Sequence, residues 1–464
     1  MSVVTTIPGF SGELVPPGHH AYDQHREIWN AVVDRRPALI ARCASSADVA
    51  AAIRHGREHG LEIAVKCGGH GVLGLAVPEG GLMIDLTPMG EVRVDPSRRR
   101  AVVGGGALLR ALDRATEPHG LATTAGNVSH TGVGGLTLGG GMGWLARRCG
   151  LACDNVEAYT VVTATGQTVR ATATEHPDLF WGLRGGGGNF GVVTEFEFRL
   201  HPTTGQALVA GFTFDPADAV APLRAWRDSL ADAPREVTLT ADAYTAAGDP
   251  ATAGSLAGRP IVEIGFAWIG QMSAARAYLD QFRRRLGVPR AESVEEVRYV
   301  ELQSAGDERH GHGLRRYSTG HYLRELPDAA IDAFLSRGIP ASAPEPDWTR
   351  QPGAGFQAHG GAIADIDDDA SAFSFRDSIV EWFGGATWAD RDEDATRISA
   401  TRAWGRALDP FATGVYVNVI ADEGTAGVRR AYRSDKFERL VALKRAWDPD
   451  NVFHLNQNIS PGSA

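Results

Sequence analysis

Cysteine is scarce in this chain of 464 residues. Its four thiols, Cys43, Cys67, Cys149 and Cys153, are too few for a disulfide scaffold of that size. Cys149 and Cys153 match neither a zinc knuckle nor a CxxC redox pair, so all four read as plain thiols and no metal site is expected. Long apolar runs are missing too, none approaching the ~20 residues that span a bilayer. The opening segment MSVVTTIPGF has no basic stretch followed by an apolar core, which argues against a secretory leader and for a cytoplasmic protein. Positive charge is in deficit: a net charge of -10 excludes nucleic acid or an anionic membrane as the main partner. The motifs GxxxxGKS/T, HExxH and GxSxG are absent, so kinase, zinc-protease and serine-hydrolase readings lose their usual support. The acidic run from Asp365 to Asp369 lacks the spaced ligands and glycine of a calcium loop and reads as a solvated turn. No internal repeat is found.

Glycine is abundant instead, with 56 copies against a usual ~7%. It clusters between apolar, β-branched segments, where backbone must turn sharply or approach a ligand closely. The apolar and charged fractions, 43% and 22%, are those of a globular protein, and the length fits two or three domains. The first third alternates short strands and helices. Ala38 to Cys43 reads as a strand. Ser45 with Asp48 caps a helix that stops at Gly60, and Leu61 to Cys67 forms a buried strand. Met83 to Leu86 is a further strand candidate. Hairpins are expected at 92–103 and 156–171, with a helix from Leu108 to about Glu117 between them. Val192 to Leu200 alternates as a half-buried strand, and His201-Pro202 ends it. The resulting division is 1–202, 203–409 with longer strands such as Pro260 to Ile269 and helices such as Ala274 to Leu286, and 410–464. The last segment returns to strand from Val415. It then forms a helix with Phe437, Leu440, Val441 and Trp447 on one face, and its asparagine-rich end is expected to be pinned against the first domain.

Gly186 to Gly191 satisfies GxGxxG literally, but it follows a helix-like segment (Leu179 to Arg184) and opens a strand. The dinucleotide-binding motif requires the reverse. The loop Gly68-Gly69-His70-Gly71 does follow a strand, and its bare amides can form an anion-binding nest. His70 inside it either faces what the loop cradles or only hydrogen-bonds nearby backbone.

Four segments in order carry a specific resemblance: KCGGHGVLG, GNVSHTGVGGLTLGGGMGWLARRCGLACDN, DLFWGLRGGGGNFGVVTEFEFRL and FHLNQNI. Together they resemble the vanillyl-alcohol-oxidase class of flavoproteins, with PCMH-type FAD binding, and within it the berberine-bridge-enzyme-like branch. The resemblance implies an α+β fold. A two-subdomain FAD-binding domain would be joined to a substrate domain built on an antiparallel sheet over the isoalloxazine ring. It implies FAD bonded through its 8α-methyl carbon to His70. Gly68, Gly69 and Gly71 would wrap the pyrophosphate. Gly132, Gly134, Gly135, Thr137, Gly140 and Gly141 would lie along the ribityl chain and pyrophosphate, Gly191 and Val193 at the nucleotide end, and Asn456 and Asn458 on the flavin side. Many members of the branch attach the flavin a second time through a cysteine four residues before the glycine that here is Gly132. That position is Val128, so a single attachment is implied. The histidyl link withdraws electrons from the ring, raises its potential and prevents loss of the cofactor.

The SHTG stretch and the ARR after it resemble the polyketide oxygenases of the enterocin type. In these, Thr131 would lie near flavin N5 and influence how oxygen reacts; the alternative is a threonine capping a turn. Tyr416 and Asn418 are read on one face of a strand, where the family places a tyrosine that accepts or orients a substrate proton; a core tyrosine is the alternative. His312, Arg315, Arg316, Tyr317, His321 and Tyr322 form either a pocket lining or, slightly favoured, a solvated helix face. The expected partners are a small organic molecule and molecular oxygen, in bacterial-type secondary metabolism. The rival outcomes are an oxidase releasing peroxide, an oxygenase acting on a polyketide-like substrate, and a redox-neutral cyclase or scaffold.

Overall fold

Ser45 opens the first long helix, Ser46–Glu58, as its capping pattern requires: its side chain accepts from the Asp48 N–H at 3.2 Å. The structure, a computed structural model, describes residues 6–246 and 256–462, so residues 1–5 of the segment read for a leader lie outside the described residues. The helix connects two strands of a four-stranded sheet ordered Glu13–Val15, Leu39–Arg42, Leu82–Asp85, Ile63–Lys66, with the last three parallel. The two central strands, Leu39–Arg42 and Leu82–Asp85, are buried on both faces and read as largely apolar runs for that reason. A second sheet has five antiparallel strands, in the order Val92–Asp95, Arg100–Gly104, Val192–Arg199, Val156–Val162, Thr168–Thr172. It contains both expected hairpins. The chain is an α+β protein.

A seven-stranded antiparallel sheet runs in the order Ala291–Arg298, Gln206–Phe214, Pro260–Ile269, Val237–Thr245, Gly353–Ala358, Val380–Trp388, Arg315–Leu323. Strand periodicity sorts its side chains. Leu208, Phe212, Leu239, Ile264, Phe266, Phe356 and Trp382 face a core closed by helices Val220–Ser229, Met272–Leu286, Asp328–Ser336 and Asp394–Leu408. The opposite face carries Thr238, Asp242, Glu263, Gln357 and Glu381 and turns toward the glycine loops: Asn127 Nδ2 donates to Gln357 Oε1 at 3.0 Å, and Thr238 Oγ1 to the Trp144 carbonyl at 3.1 Å. Buried Arg147 staples the halves together by donating to the carbonyls of Val237, Ala233 and His359.

Two sequence expectations fail here. Arg315 to Tyr322 is not a solvated helix face but a strand, buried from Arg316 onward. Its side chains separate: Arg315 pairs with Asp394, Tyr317 donates to Asp422, and Tyr322 enters the core. Alternation of bulky polar and aromatic residues suits a strand between covered faces, and burial outweighs the polar composition. Val415 onward is not a strand either. Gly414 makes one bridge to Tyr322, and the chain then turns through a short 3-10 helix, Val417–Val419.

The terminal segment is pinned against the first half as expected. In helix Ser434–Trp447, fully buried Lys444 donates to the carbonyls of Asn189 and Phe453, each at 2.8 Å, and to Asp448 Oδ2 at 2.7 Å. Asp448 in turn accepts from the amides of Val452 and Phe453. Removing the cation strands a buried carboxylate. Lys444→Met is therefore expected to lose about 3–5 kcal/mol of stability and to weaken FAD retention, measured by thermal unfolding and by flavin released on gel filtration.

A second buried carboxyl gives a pH-dependent effect. Burial pushes Asp113 up to about 7, against a single partner, Gln303 Nε2 at 3.3 Å. A carboxyl raised by folding carries no penalty below its unfolded value near 3.8, and the penalty grows as pH rises to about 7. Asp113→Asn is expected to raise the unfolding temperature at pH 8 and to leave it unchanged near pH 4, which paired thermal melts at the two values check.

Candidate flavin and substrate site

The strand Ile63–Lys66 ends at the wall of a cavity of about 380 Å³, within the usual size of cofactor and ligand pockets. Gly68 and Gly132 touch across it: a Cβ on Gly68 would lie 2.3 Å from the Gly132 nitrogen, so neither position admits a side chain. Three other glycines open onto the void. A Cβ on Gly71, Gly135 or Gly188 meets nothing within 4 Å, and all three line the cavity. The lining contains no lysine, arginine, aspartate or glutamate among the described residues. Bare backbone and apolar walls of Val65, Leu73, Leu136, Val192 and Phe453 therefore face the ligand, and a pyrophosphate would be held by main-chain amides. That donor set and shape fit a flavin nucleotide.

Of the residues picked from the sequence, Gly68, Gly69, His70, Gly71, Thr131, Gly132, Gly134, Gly135, Gly191, Val193, Tyr416, Asn418 and Asn456 all line this cavity. Four do not. Thr137 is buried with its hydroxyl unpartnered, Gly140 lies against Phe373 and Tyr416, and Gly141 lies against Ala152 and Leu136. Helix Val133–Leu138 presents Gly134, Gly135, Leu136 and Leu138 to the cavity but not Thr137. Asn458 lines a neighbouring hollow of about 750 Å³ shared with Asn456 and Gln457.

His70 sits at the lip. Trp29 stacks on it, with ring centroids 4.8 Å apart and planes 14° from parallel, and Arg316 lies over the Trp29 ring. His70 Nε2 is 2.7 Å from His130 Nδ1, and its Nδ1 is 3.3 Å from Thr131 Oγ1. Burial first, then the neighbouring His130, His312 and Arg316, pushes the His70 pKa down to about 2, so the imidazole is neutral at any working pH. His312 completes a trio whose ring nitrogens lie within 4.8 Å of one another, a spacing that can also hold a metal ion. The four cysteines are free thiols. Cys67, on the cavity wall, is pushed up to about 11 by burial and stays protonated.

Tyr416 and Asn418 converge although they are not on a strand. Asn418 Nδ2 donates to the Tyr416 hydroxyl at 2.8 Å, and the Gly141 N–H donates to the same oxygen at 3.1 Å. Burial, then the charge of Glu381, raises the phenol well above its ordinary value, so Tyr416 rests as a neutral hydroxyl rather than a standing phenolate base. Sequence reading missed Glu381 and His359, both buried, with Glu381 Oε2 at 3.7 Å from His359 Nε2. The available signal for Glu381 was a lone carboxylate in the otherwise apolar strand segment VEWFG.

The family model for an FAD binding domain matches residues 37–172, and that for berberine and berberine-like proteins matches residues 415–460. The chain is 30% identical to (R)-6-hydroxynicotine oxidase of Paenarthrobacter nicotinovorans over 99% of each protein. It is also 30% identical to an FAD-linked oxidoreductase of Dictyostelium discoideum, covering 97% of this chain and 95% of that one. The crystal structure of 6-hydroxy-D-nicotine oxidase from Arthrobacter nicotinovorans superposes with a TM-score of 0.85 at 26% identity, covering 100% of both chains.

Proposed function

Because the chain belongs to the berberine-bridge-enzyme-like FAD-linked oxidoreductases, we propose that it is an oxidase carrying its flavin on His70 through a single bond and oxidising a small organic substrate with dioxygen. The observation that carries the reading is one neutral imidazole, His70, at the lip of a glycine-walled cavity that also exposes Tyr416. When bound, FAD supplies the hydride acceptor and the reaction with dioxygen. The chain's residues do the rest. The glycine loops exclude side chains from the cofactor's path. Asn418 and the Gly141 amide aim the Tyr416 hydroxyl, which orients the substrate O–H or N–H. Single attachment is supported by valine at position 128 and by the protonated Cys67 thiol.

Anaerobic mixing with panels of alcohols, amines and sugars tests the oxidase reading: a true substrate bleaches the flavin, and readmitted air gives one peroxide per turnover. If no candidate bleaches it, a redox-neutral cyclase or scaffold is favoured instead. Thr131 on the cavity wall beside His70 favours a second reading, an oxygenase for a polyketide-like substrate of secondary metabolism. Isotopic oxygen from dioxygen appearing in product, with peroxide well below stoichiometric, would select it.

A further inference from the structure

Two imidazoles meet beside the cavity, and what lies behind the second one assigns a direction to their hydrogen bond when both rings are neutral. His130 Nδ1 faces His70 Nε2 at 2.7 Å, while His130 Nε2 faces the Asp307 main-chain carbonyl at 3.4 Å. A neutral imidazole has one N–H and one bare nitrogen, and a carbonyl oxygen can only accept. His130 therefore keeps its proton on Nε2, pointed at Asp307, and is bare at Nδ1. His70 must then donate from Nε2, which leaves the lone pair on its own Nδ1, where the Thr131 hydroxyl donates at 3.3 Å. The opposite arrangement would set two acceptors against each other at Asp307. The carbonyl is held in place because the Asp307 carboxylate accepts from the Ser129 N–H at 2.9 Å and the Ser129 hydroxyl at 2.6 Å, next to His130 in the chain. Trp29, stacked on His70 and itself donating to the His310 carbonyl, holds the ring plane.

We propose that His130 is the positioning residue and proton acceptor for flavin attachment, directing the bond to His70 Nδ1. The inference rests on the covalent reading above. In the step, the bond formed joins His70 Nδ1 to the 8α-carbon, and one C–H bond of that methyl group breaks. The imidazole gives up its Nε2 proton to His130. Two electrons pass to the ring system, and dioxygen removes them together with the two protons as hydrogen peroxide. His130 is suited to the transfer because its bare nitrogen already accepts from the N–H that must be lost, while burial keeps His70 uncharged.

The test reconstitutes flavin-free full-length protein with FAD in air and follows flavin retained in acid-precipitated pellets over time. His130→Ala is expected to bind FAD, seen as yellow protein after gel filtration, yet to attach it ~10²-fold more slowly, with partial rescue by added imidazole. His130→Gln keeps a hydrogen-bond acceptor for His70 but takes no proton, so it is expected to be equally slow. NMR of the proteolytic flavinyl peptide is expected to show Nδ1 substitution in the wild type. Attachment at the wild-type rate in either variant, or Nε2 substitution in the wild type, overturns the proposal. If the alanine variant does not fold or bind FAD, the rate for the glutamine variant decides. Wild-type protein that leaves all its flavin in the supernatant defeats the covalent reading itself, an outcome distinct from slow attachment in the variants.

Discussion

Acid-precipitated wild-type protein is expected to give a yellow pellet, and His70→Ala a white one with all its flavin in the supernatant. The variant should still fold. Removing the imidazole deletes the stack on Trp29, worth about 0.5–1.5 kcal/mol, and the hydrogen bonds with His130 and Thr131, but breaks no buried ion pair. It should also still bind FAD, because the surfaces formed by Gly71, Gly135, Gly188 and the walls of the cavity are untouched. Loss of the electron-withdrawing link lowers the flavin potential, so reduction by substrate is expected to slow by at least about tenfold, equal to about 1.4 kcal/mol of barrier. Rapid-mixing absorbance under nitrogen measures that rate. A His70→Ala pellet that stays yellow would locate the bond on another residue, and a wild-type pellet without colour would remove the bond altogether.

Tyr416→Phe is expected to lower kcat by about 10²–10⁴ with a much smaller change in KM. The ring stays the same size, so its packing beside Gly140 is kept, and the flavin spectrum of the resting enzyme should not change. What disappears is the oxygen on which the Asn418 amide and the Gly141 N–H converge. Because burial and Glu381 keep the phenol protonated, its own titration lies above the working range, and the wild-type pH–rate profile should show no limb from this group. Asn418→Ala serves as a graded control. Tyr416 keeps the Gly141 contact there, so a smaller loss in kcat is expected, without the full effect of deleting the hydroxyl. Equal, small effects in both variants would reduce Tyr416 to a packing residue.

The parallel strands around Ser46–Glu58 and both hairpins of the five-stranded sheet were legible because each rests on local rules: a capping serine, a two-residue period and a turn at Asp95-Pro96 or Thr165-Gly166. The strand Arg315–Leu323 was not, because its arginines and Tyr317 look solvated until Trp29, Asp394 and Asp422 cover them from distant parts of the chain. The segment after Val415 carries strand-like alternation. It is left without a neighbouring strand beyond the single bridge at Gly414, so it turns under the glycine loop instead.

Cofactor class and the loop bearing His70 could be read from one dimension, since a glycine cradle is written as a contiguous run of residues whose missing side chains are visible directly. The tertiary structure alone decided what surrounds that histidine. His130 and Thr131 reach His70 across 60 and 61 residues, Asn418 and Tyr416 reach Gly135 and Gly141 across more than 270, and Asp307 comes to His130 from a turn of the substrate domain. No sequence period encodes such contacts, because they depend on how the three sheets pack and not on how any one of them forms.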